Sequence, residues 1–440
     1  MQLLVVGSSL GAQVTAVALA STGHQVCLIV DEIPHYHALE QGRSLWREPG
    51  LDSLLQEVQH QGLLTLSSLE AWPSLPSQPY AAVFLALAPN QWSLAESITL
   101  RLGQMLPEFL LVNQSTFPVG STEALQALLP DAQHQATVCL PDLLQEGAAL
   151  AGWTRPERIL LGCKTDWAEE RLREILRPFN RRQDHFMVMS PREAEFTKLA
   201  ITGMLATRLS FMNDMANLAD ALQVDIEAVR QGVGSDPRIG DQYLYPGCGF
   251  GGLSFSRDVM SLATTLEDSG VGSELLEEVL VINERQKEIL FRKAWQHFET
   301  HLQGKTFAIW GAAFKPGSDR IDNAPVLRLL QALWAQGARV QVHDPKALDA
   351  LAAWAGERDD LQLCATAAEA VDGADALMLL TEWKTYWSPD FEQLRRQLRT
   401  PVIFDGRNIY DPQYLQSIGF TYYGVGRQAG DKTRTTEVWR

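Results

Sequence analysis

The sequence predicts an α/β protein in which two doubly wound parallel-sheet domains are joined by a central all-helical segment. Three observations carry this prediction. Strand-length apolar runs alternate with helical patterns near the start, the alternation gives way to long helical periodicity in the middle, and it resumes toward the end. At 440 residues, 46% hydrophobic and 20% charged, the chain is long enough to bury two or three separate cores.

The opening elements are an apolar strand at Leu3 to Val6, a Gly/Ser turn, a helical stretch at Val14 to Ser21, Gly23, and a second strand at Val26 to Val30. This is a βαβ opening, and further apolar runs at Ala81 to Leu87 and Phe109 to Val112 extend it into a parallel sheet. From Glu193 to Leu222 the pattern becomes one long helix, with Leu205, Leu209, Met212, Met215, Leu218 and Leu222 spaced by three or four along one face. A second long helical pattern runs from Ser273 to about Phe298. Helices with that much apolar surface are expected to bury it against a second copy of the chain. The alternation then restarts with Thr306 to Trp310, a helix from Ala324 to Gln336, Arg339 to His343, Ala376 to Leu380 and Val402 to Phe404. The expected divisions are residues 1–192, 193–300 and 301–440, with a polar tail from Gln428 to Arg440 expected to be disordered.

Composition narrows the function. A net charge of -16 with no basic run repels polyphosphate backbones, so no nucleic-acid partner is expected. The five cysteines, Cys27, Cys139, Cys163, Cys248 and Cys364, are scattered and lack C-x-x-C spacing. They are expected to be reduced thiols, with no metal site, in a cytoplasmic protein. No apolar run approaches the roughly 20 residues that span a bilayer, so no membrane association is expected.

Ten short segments, in order, carry a family resemblance. They are Arg47 to Leu51, Ser115 to Gly120, Pro141 to Gly147, Arg155 to Gly162, Ala194 to Leu199, Gly234 to Gly240, Tyr245 to Gly252, Ala313 to Pro316, Thr381 to Trp383 and Phe404 to Pro412. Together they resemble the UDP-glucose and GDP-mannose 6-dehydrogenases, the nucleotide-sugar dehydrogenases, over nearly the whole chain. The resemblance implies two Rossmann-like domains, the first of NAD type and the last binding the nucleotide sugar, around a helical dimerisation domain. It also implies oxidation of a sugar-nucleotide C6 alcohol to a carboxylate by two NAD⁺ and a cysteine nucleophile.

Several positions depart from that pattern. The G-x-G-x-x-G turn is Gly7-Ser8-Ser9-Leu10-Gly11-Ala12, which places Ser9 where the second glycine admits the pyrophosphate and Ala12 at the tolerant third position. The acid expected to accept the ribose hydroxyls aligns with Val30, and Asp31 stands one place later, on the opposite face of an extended strand. The loop after Leu87 is shortened to Ala88-Pro89-Asn90, and an arginine position that follows two aspartates is Asp322.

At the catalytic centre the nucleophile aligns with Ser254, whose hydroxyl needs a base that no neighbouring histidine supplies. Lys198 matches the lysine that stabilises the oxyanion, and Asp258 matches the group that assists water; a helix-surface charge and a helix N-cap are the structural alternatives. Thr116 is kept, Thr202 stands for an asparagine, and Asp142 stands for the glutamate of N-P-E.

The sugar-nucleotide half keeps more of the pattern. Gly247, Gly249, Gly251 and Gly252 form a loop whose backbone can approach a sugar phosphate, unless they serve a purely structural turn. Arg238, Tyr243, Lys315 and Arg407 match substrate-binding positions, and arginine suits phosphate because its planar fork pairs two oxygens.

The expectation is a family-related homodimer that has lost hydride transfer, with NAD binding in doubt, and that keeps a nucleotide-sugar pocket as a binding or regulatory partner in polysaccharide or surface-glycan synthesis. An active NAD-dependent dehydrogenase that stops at the aldehyde is the enzymatic alternative. A structural subunit paired with an active paralogue is the third.

Overall fold

A computed structural model describes residues 1–72, 79–181, 183–272 and 274–427; the polar tail after Arg427 lies outside them. By its own contacts the chain divides into Met1–Ile201 and Thr202–Arg440. The 32-residue helix Pro191–Leu222 contributes to both.

The first unit is an eight-stranded sheet. Its strands are β1 (Gln2–Val6), β2 (Gln25–Val30), β3 (Leu64–Ser68), β4 (Ala82–Leu85), β5 (Phe109–Asn113), β6 (Gln135–Cys139), β7 (Ile159–Gly162) and β8 (Phe186–Met189). They lie in the order β3-β2-β1-β4-β5-β6-β7-β8. Every neighbouring pair is parallel except β6 and β7, which meet antiparallel at Cys139 and Gly162. Strands buried on both faces explain why β1, β4 and β5 are nearly uninterrupted apolar runs. The order reverses direction between β1 and β4, and ligands of such sheets bind at that switch point. The helix Leu10–Ser21 begins there, four residues earlier than its apolar periodicity suggested.

The second unit holds a six-stranded, all-parallel sheet of β9 (Thr306–Trp310), β10 (Arg339–His343), β11 (Leu361–Leu363), β12 (Ala376–Leu379), β13 (Val402–Asp405) and β14 (Thr421–Gly424). Its order, β11-β10-β9-β12-β13-β14, has the same reversal, here between β9 and β12. The expected helix at Ala324 is Pro325–Ala335, with proline in its first turn, where the missing N–H costs no hydrogen bond. The helical pattern expected from Ser273 to Phe298 is two helices, Glu274–Gln286 and Ile289–His297.

The long apolar stripe on Pro191–Leu222 needs correcting. Met212 is fully buried in the chain's own core with Ala216 and Ala219, and Met215 packs against that core. Leu218 and Leu222 of the expected stripe do face solvent, together with Phe196, Met204 and Phe211 outside it, each between 49% and 62% exposed. Among the described residues no helix is long and apolar enough to cross a membrane.

Candidate functional site

In the first unit, the turn after β1 is built around a glycine that cannot change. Gly7 has φ +138°, and an added Cβ would lie 2.4 Å from the Ala86 carbonyl oxygen. Ser9 caps the helix that follows: its hydroxyl accepts from Ala12 N at 3.1 Å and donates to Ala86 O at 2.7 Å. Ala12 is buried against the sheet. A methyl group on Gly11 would lie 2.7 Å from Asp142 Oδ2, so the Asp142 carboxylate sits over the first turn of this helix. Its other oxygen accepts from Leu144 N at 2.8 Å.

Val30 is buried in the core beneath the sheet and offers no oxygen. Asp31 does reach the turn, but one carboxylate oxygen accepts from the Ser8 hydroxyl and the other from Gln91 Nε2 at 2.6 Å. Lys198 donates from its ammonium to the Asp142 carbonyl, and Thr116 is half-buried after β5. Sequence reasoning missed Glu195, whose buried carboxylate accepts from Gly120 N at 2.6 Å, Thr122 N at 2.8 Å and the Thr122 hydroxyl at 2.6 Å. These charge-assisted bonds fix the long helix to the start of Ser121–Ala127.

In the second unit, Thr202 is buried one helical turn beyond Lys198 in sequence. Gly247 to Gly252 form a loop held from below by three buried amide side chains. Asn213 Oδ1 accepts from Gly247 N at 2.9 Å, and Gln286 Nε2 donates to Gly247 O at 2.8 Å. Asn283 grips Phe250 by both backbone groups, accepting from its N at 2.8 Å and donating to its O at 3.1 Å. The loop runs into the helix Leu253–Asp268, whose N-cap is Gly252 at φ +92°.

Ser254 is exposed on the second residue of that helix. Asp258 is buried inside the helix rather than capping it. Cys248 is fully buried, and burial pushes its thiol above the usual range. That thiol is therefore no substitute for a thiolate nucleophile.

Above the loop lies a cavity of about 270 Å³, lined in part by Asn213, Tyr245, Gly249, Phe250, Glu382 and Arg407. Arg407 donates from Nε to Leu380 O at 2.6 Å and lies 3.2 Å from Glu382 Oε2. Tyr243 holds a left-handed backbone at φ +58° and is half-buried. Lys315 lies over the Phe314 ring at 5.4 Å. Arg238 is not among the cavity residues: it is 85% exposed and forks onto Asp236 at 2.6 Å. Asp322, at the family's arginine position, pairs with Arg320 at 2.7 Å.

Models of three parts of one family match the chain. The NAD binding domain of the UDP-glucose/GDP-mannose dehydrogenase family matches residues 90–180, its central domain 192–285 and its UDP binding domain 308–412. The first match begins downstream of Gly7 to Asp31. A UDP-glucose 6-dehydrogenase of Pseudomonas aeruginosa is 38% identical, with 97% of this chain and 98% of the relative covered. The UDP-glucose 6-dehydrogenase YwqF of Bacillus subtilis is 31% identical, with 98% of each covered. Among solved structures, a UDP-glucose dehydrogenase from Pyrobaculum islandicum superposes with a TM-score of 0.85 at 28% identity, with 97% of each chain covered. On the two switch-point sheets, the glycine loop and these matches across nearly its whole length, the chain belongs to the UDP-glucose/GDP-mannose dehydrogenase family.

Proposed function

We propose that this family member binds a nucleotide sugar through its second unit and does not carry out the cysteine-dependent oxidation to a carboxylate. The observation that carries the proposal is the pair Ser254 and Cys248: a hydroxyl stands where the family's nucleophile belongs, and the nearby thiol is sealed in the core. A serine hydroxyl at neutral pH has no appreciable alkoxide without an adjacent base. The cavity over Gly247 to Gly252, with Arg407 in its wall, supports retained binding of a phosphate-bearing sugar. The residues of the first unit fit NAD poorly, because Val30 cannot accept ribose hydroxyls and Ser9 occupies the close-approach position.

The relatives are named for UDP-glucose, so UDP-glucose is the first ligand to test. The family's three matched segments support divisions near residues 192 and 300. A homodimer would cover Met204, Phe211, Leu218 and Leu222, whose spacing of seven, seven and four suits helix pairing. A role as a binding or regulatory partner in glycan synthesis, alone or beside an active paralogue, follows from binding without oxidation.

The second reading is an active NAD-dependent dehydrogenase, and the 38% identity to a UDP-glucose 6-dehydrogenase over 97% of the chain favours it. One experiment separates the two. The full chain is titrated with UDP-glucose and with GDP-mannose by calorimetry, and NADH is then followed with each sugar nucleotide and excess NAD⁺. Saturable sugar-nucleotide binding without NADH is expected; sustained NADH formation refutes the proposal, and no binding of either refutes its first half.

A further inference from the structure

We infer that the turn after β1 is closed by the chain's own side chains, so that the first unit holds an internal substitute for a dinucleotide pyrophosphate instead of a site for one. The inference concerns the first unit and does not rest on the nucleotide-sugar reading of the second.

The start of a helix such as Leu10–Ser21 attracts anions because its first N–H groups lack partners and the helix dipole points its positive end there. Here both attractions are used internally. The Ser9 hydroxyl takes Ala12 N, and the Asp142 carboxylate lies over Gly11. A carboxylate tethered in place acts at a high effective concentration, and an incoming pyrophosphate would have to displace it or share the site with it against like-charge repulsion.

The rest of the turn is closed as well. The Ser8 carbonyl accepts from Trp46 Nε1 at 2.8 Å and from Gln13 Nε2 at 3.0 Å. Gln13 is steadied by the Ser44 hydroxyl at 2.7 Å, and the Trp46 ring stacks on His35 at 5.7 Å. The Ser8 hydroxyl donates to Asp31 and accepts from Glu32 N at 3.0 Å, and Gln91 takes the remaining oxygen of Asp31. Opening the turn for a ligand would break several of these bonds in a partly buried place, where each lost partner leaves a desolvated group.

The test uses the full chain with Trp46 as reporter. Tryptophan is replaced by 5-fluorotryptophan, the Trp46 fluorine signal is assigned by its loss in Trp46→Phe, and NAD⁺ and ADP-ribose are titrated while calorimetry runs in parallel. Up to about 1 mM of either ligand, no saturable heat and no movement of the Trp46 signal are expected. Ser9→Gly combined with Asp142→Asn uncaps the helix and removes the internal charge. It is expected to gain saturable ADP-ribose binding at least about tenfold tighter than the wild-type limit. Asp142→Asn alone removes the internal charge while keeping the Ser9 cap, and gives a second opened form if the double variant fails to fold. Folding of either variant is certified by a cooperative melting transition and a wild-type far-ultraviolet circular dichroism spectrum. Micromolar NAD⁺ binding by the wild type, or a folded opened variant that gains nothing, overturns the inference.

Discussion

Asn283 offers the most direct test of how the glycine loop is held. The side chain is buried on Glu274–Gln286 and makes two bonds to the Phe250 backbone, at 2.8 and 3.1 Å. Asn283→Ala removes both and leaves a peptide N–H and C=O facing a small void. Each orphaned buried group costs about 1–3 kcal/mol, so a loss of about 2–6 kcal/mol in unfolding free energy is expected. If Phe250 then samples positions away from the cavity, only the ordered fraction binds ligand, and an ordered fraction of about one tenth weakens apparent affinity about tenfold. Urea denaturation measures the first effect and UDP-glucose calorimetry the second. A variant that loses stability but keeps its affinity within about twofold would show that Asn213 and Gln286 suffice to hold the loop. A variant that loses less than about 0.5 kcal/mol would refute the bidentate grip itself.

Three further outcomes are expected. Phe211→Glu should turn a dimer into a monomer by light scattering while leaving the melting temperature of each chain largely unchanged, whereas Met212→Ala should cost about 2–5 kcal/mol of stability because that side chain lies in the core. Ellman's reagent near pH 8 should label native chains only at the half-buried Cys27 and Cys163, and slowly, because burial pushes these two thiols up as well, while Cys139, Cys248 and Cys364 are sealed from solvent; rapid labelling of Cys248 would contradict its placement. Ser254→Cys alone should produce no NADH with UDP-glucose, and sustained production would show that the first unit still serves a dinucleotide.

The sheets were largely legible because strands buried on both faces leave long apolar runs, as in β1, β4 and β9. Others were not: β3 alternates into polar residues, β6 is buried throughout but opens on Gln135 and carries Thr137, and β8 carries an exposed Met187 and Val188 near the sheet edge. Met212 and Met215 were placed on an outward stripe because Pro191–Leu222 has apolar residues on more than one face, and periodicity alone does not say which face meets the chain's own core. Asn283 and Gln286 were missed because buried amides look like solvent-facing residues in a sequence. A signal was present nonetheless: Leu276, Val279, Asn283, Gln286 and Leu290 continue one stripe at three- and four-residue spacing, so the two amides stand where core residues belong. The closure of the turn after β1 was half legible. Ser9 and Val30 were visible as substitutions, but the contributions of Trp46 and Asp142 depend on loops that fold back over the turn, and that of Gln13 on a side chain of the helix itself.

The persistence of the glycines in the second unit does not by itself argue for a ligand, because the fold already demands them. A Cβ at Gly247 would meet Gly406 O at 3.0 Å, one at Gly251 would meet Asn323 O at 2.8 Å, and one at Gly252 would press into the Phe314 ring at 2.9 Å. Gly249, at φ +83°, is wedged against Asn283 and Lys287. Internal packing alone would therefore keep this loop glycine-rich after any ligand was lost. Arg407 is different. Its guanidinium is held by Leu380 O and Glu382 at the edge of a cavity, and a buried positive charge is costly to keep where an apolar side chain of similar length would fill the space. Arg407→Met separates the two explanations. If the arginine is there for packing, stability should fall and UDP-glucose binding should change little. If it is there for a phosphate, affinity should fall by about tenfold to a hundredfold, the range expected when a charge-assisted bond worth about 1.5–3 kcal/mol is lost. The assignment of Arg407 to the phosphate of a sugar nucleotide requires the second result, and unchanged affinity in a folded Arg407→Met chain would refute that assignment.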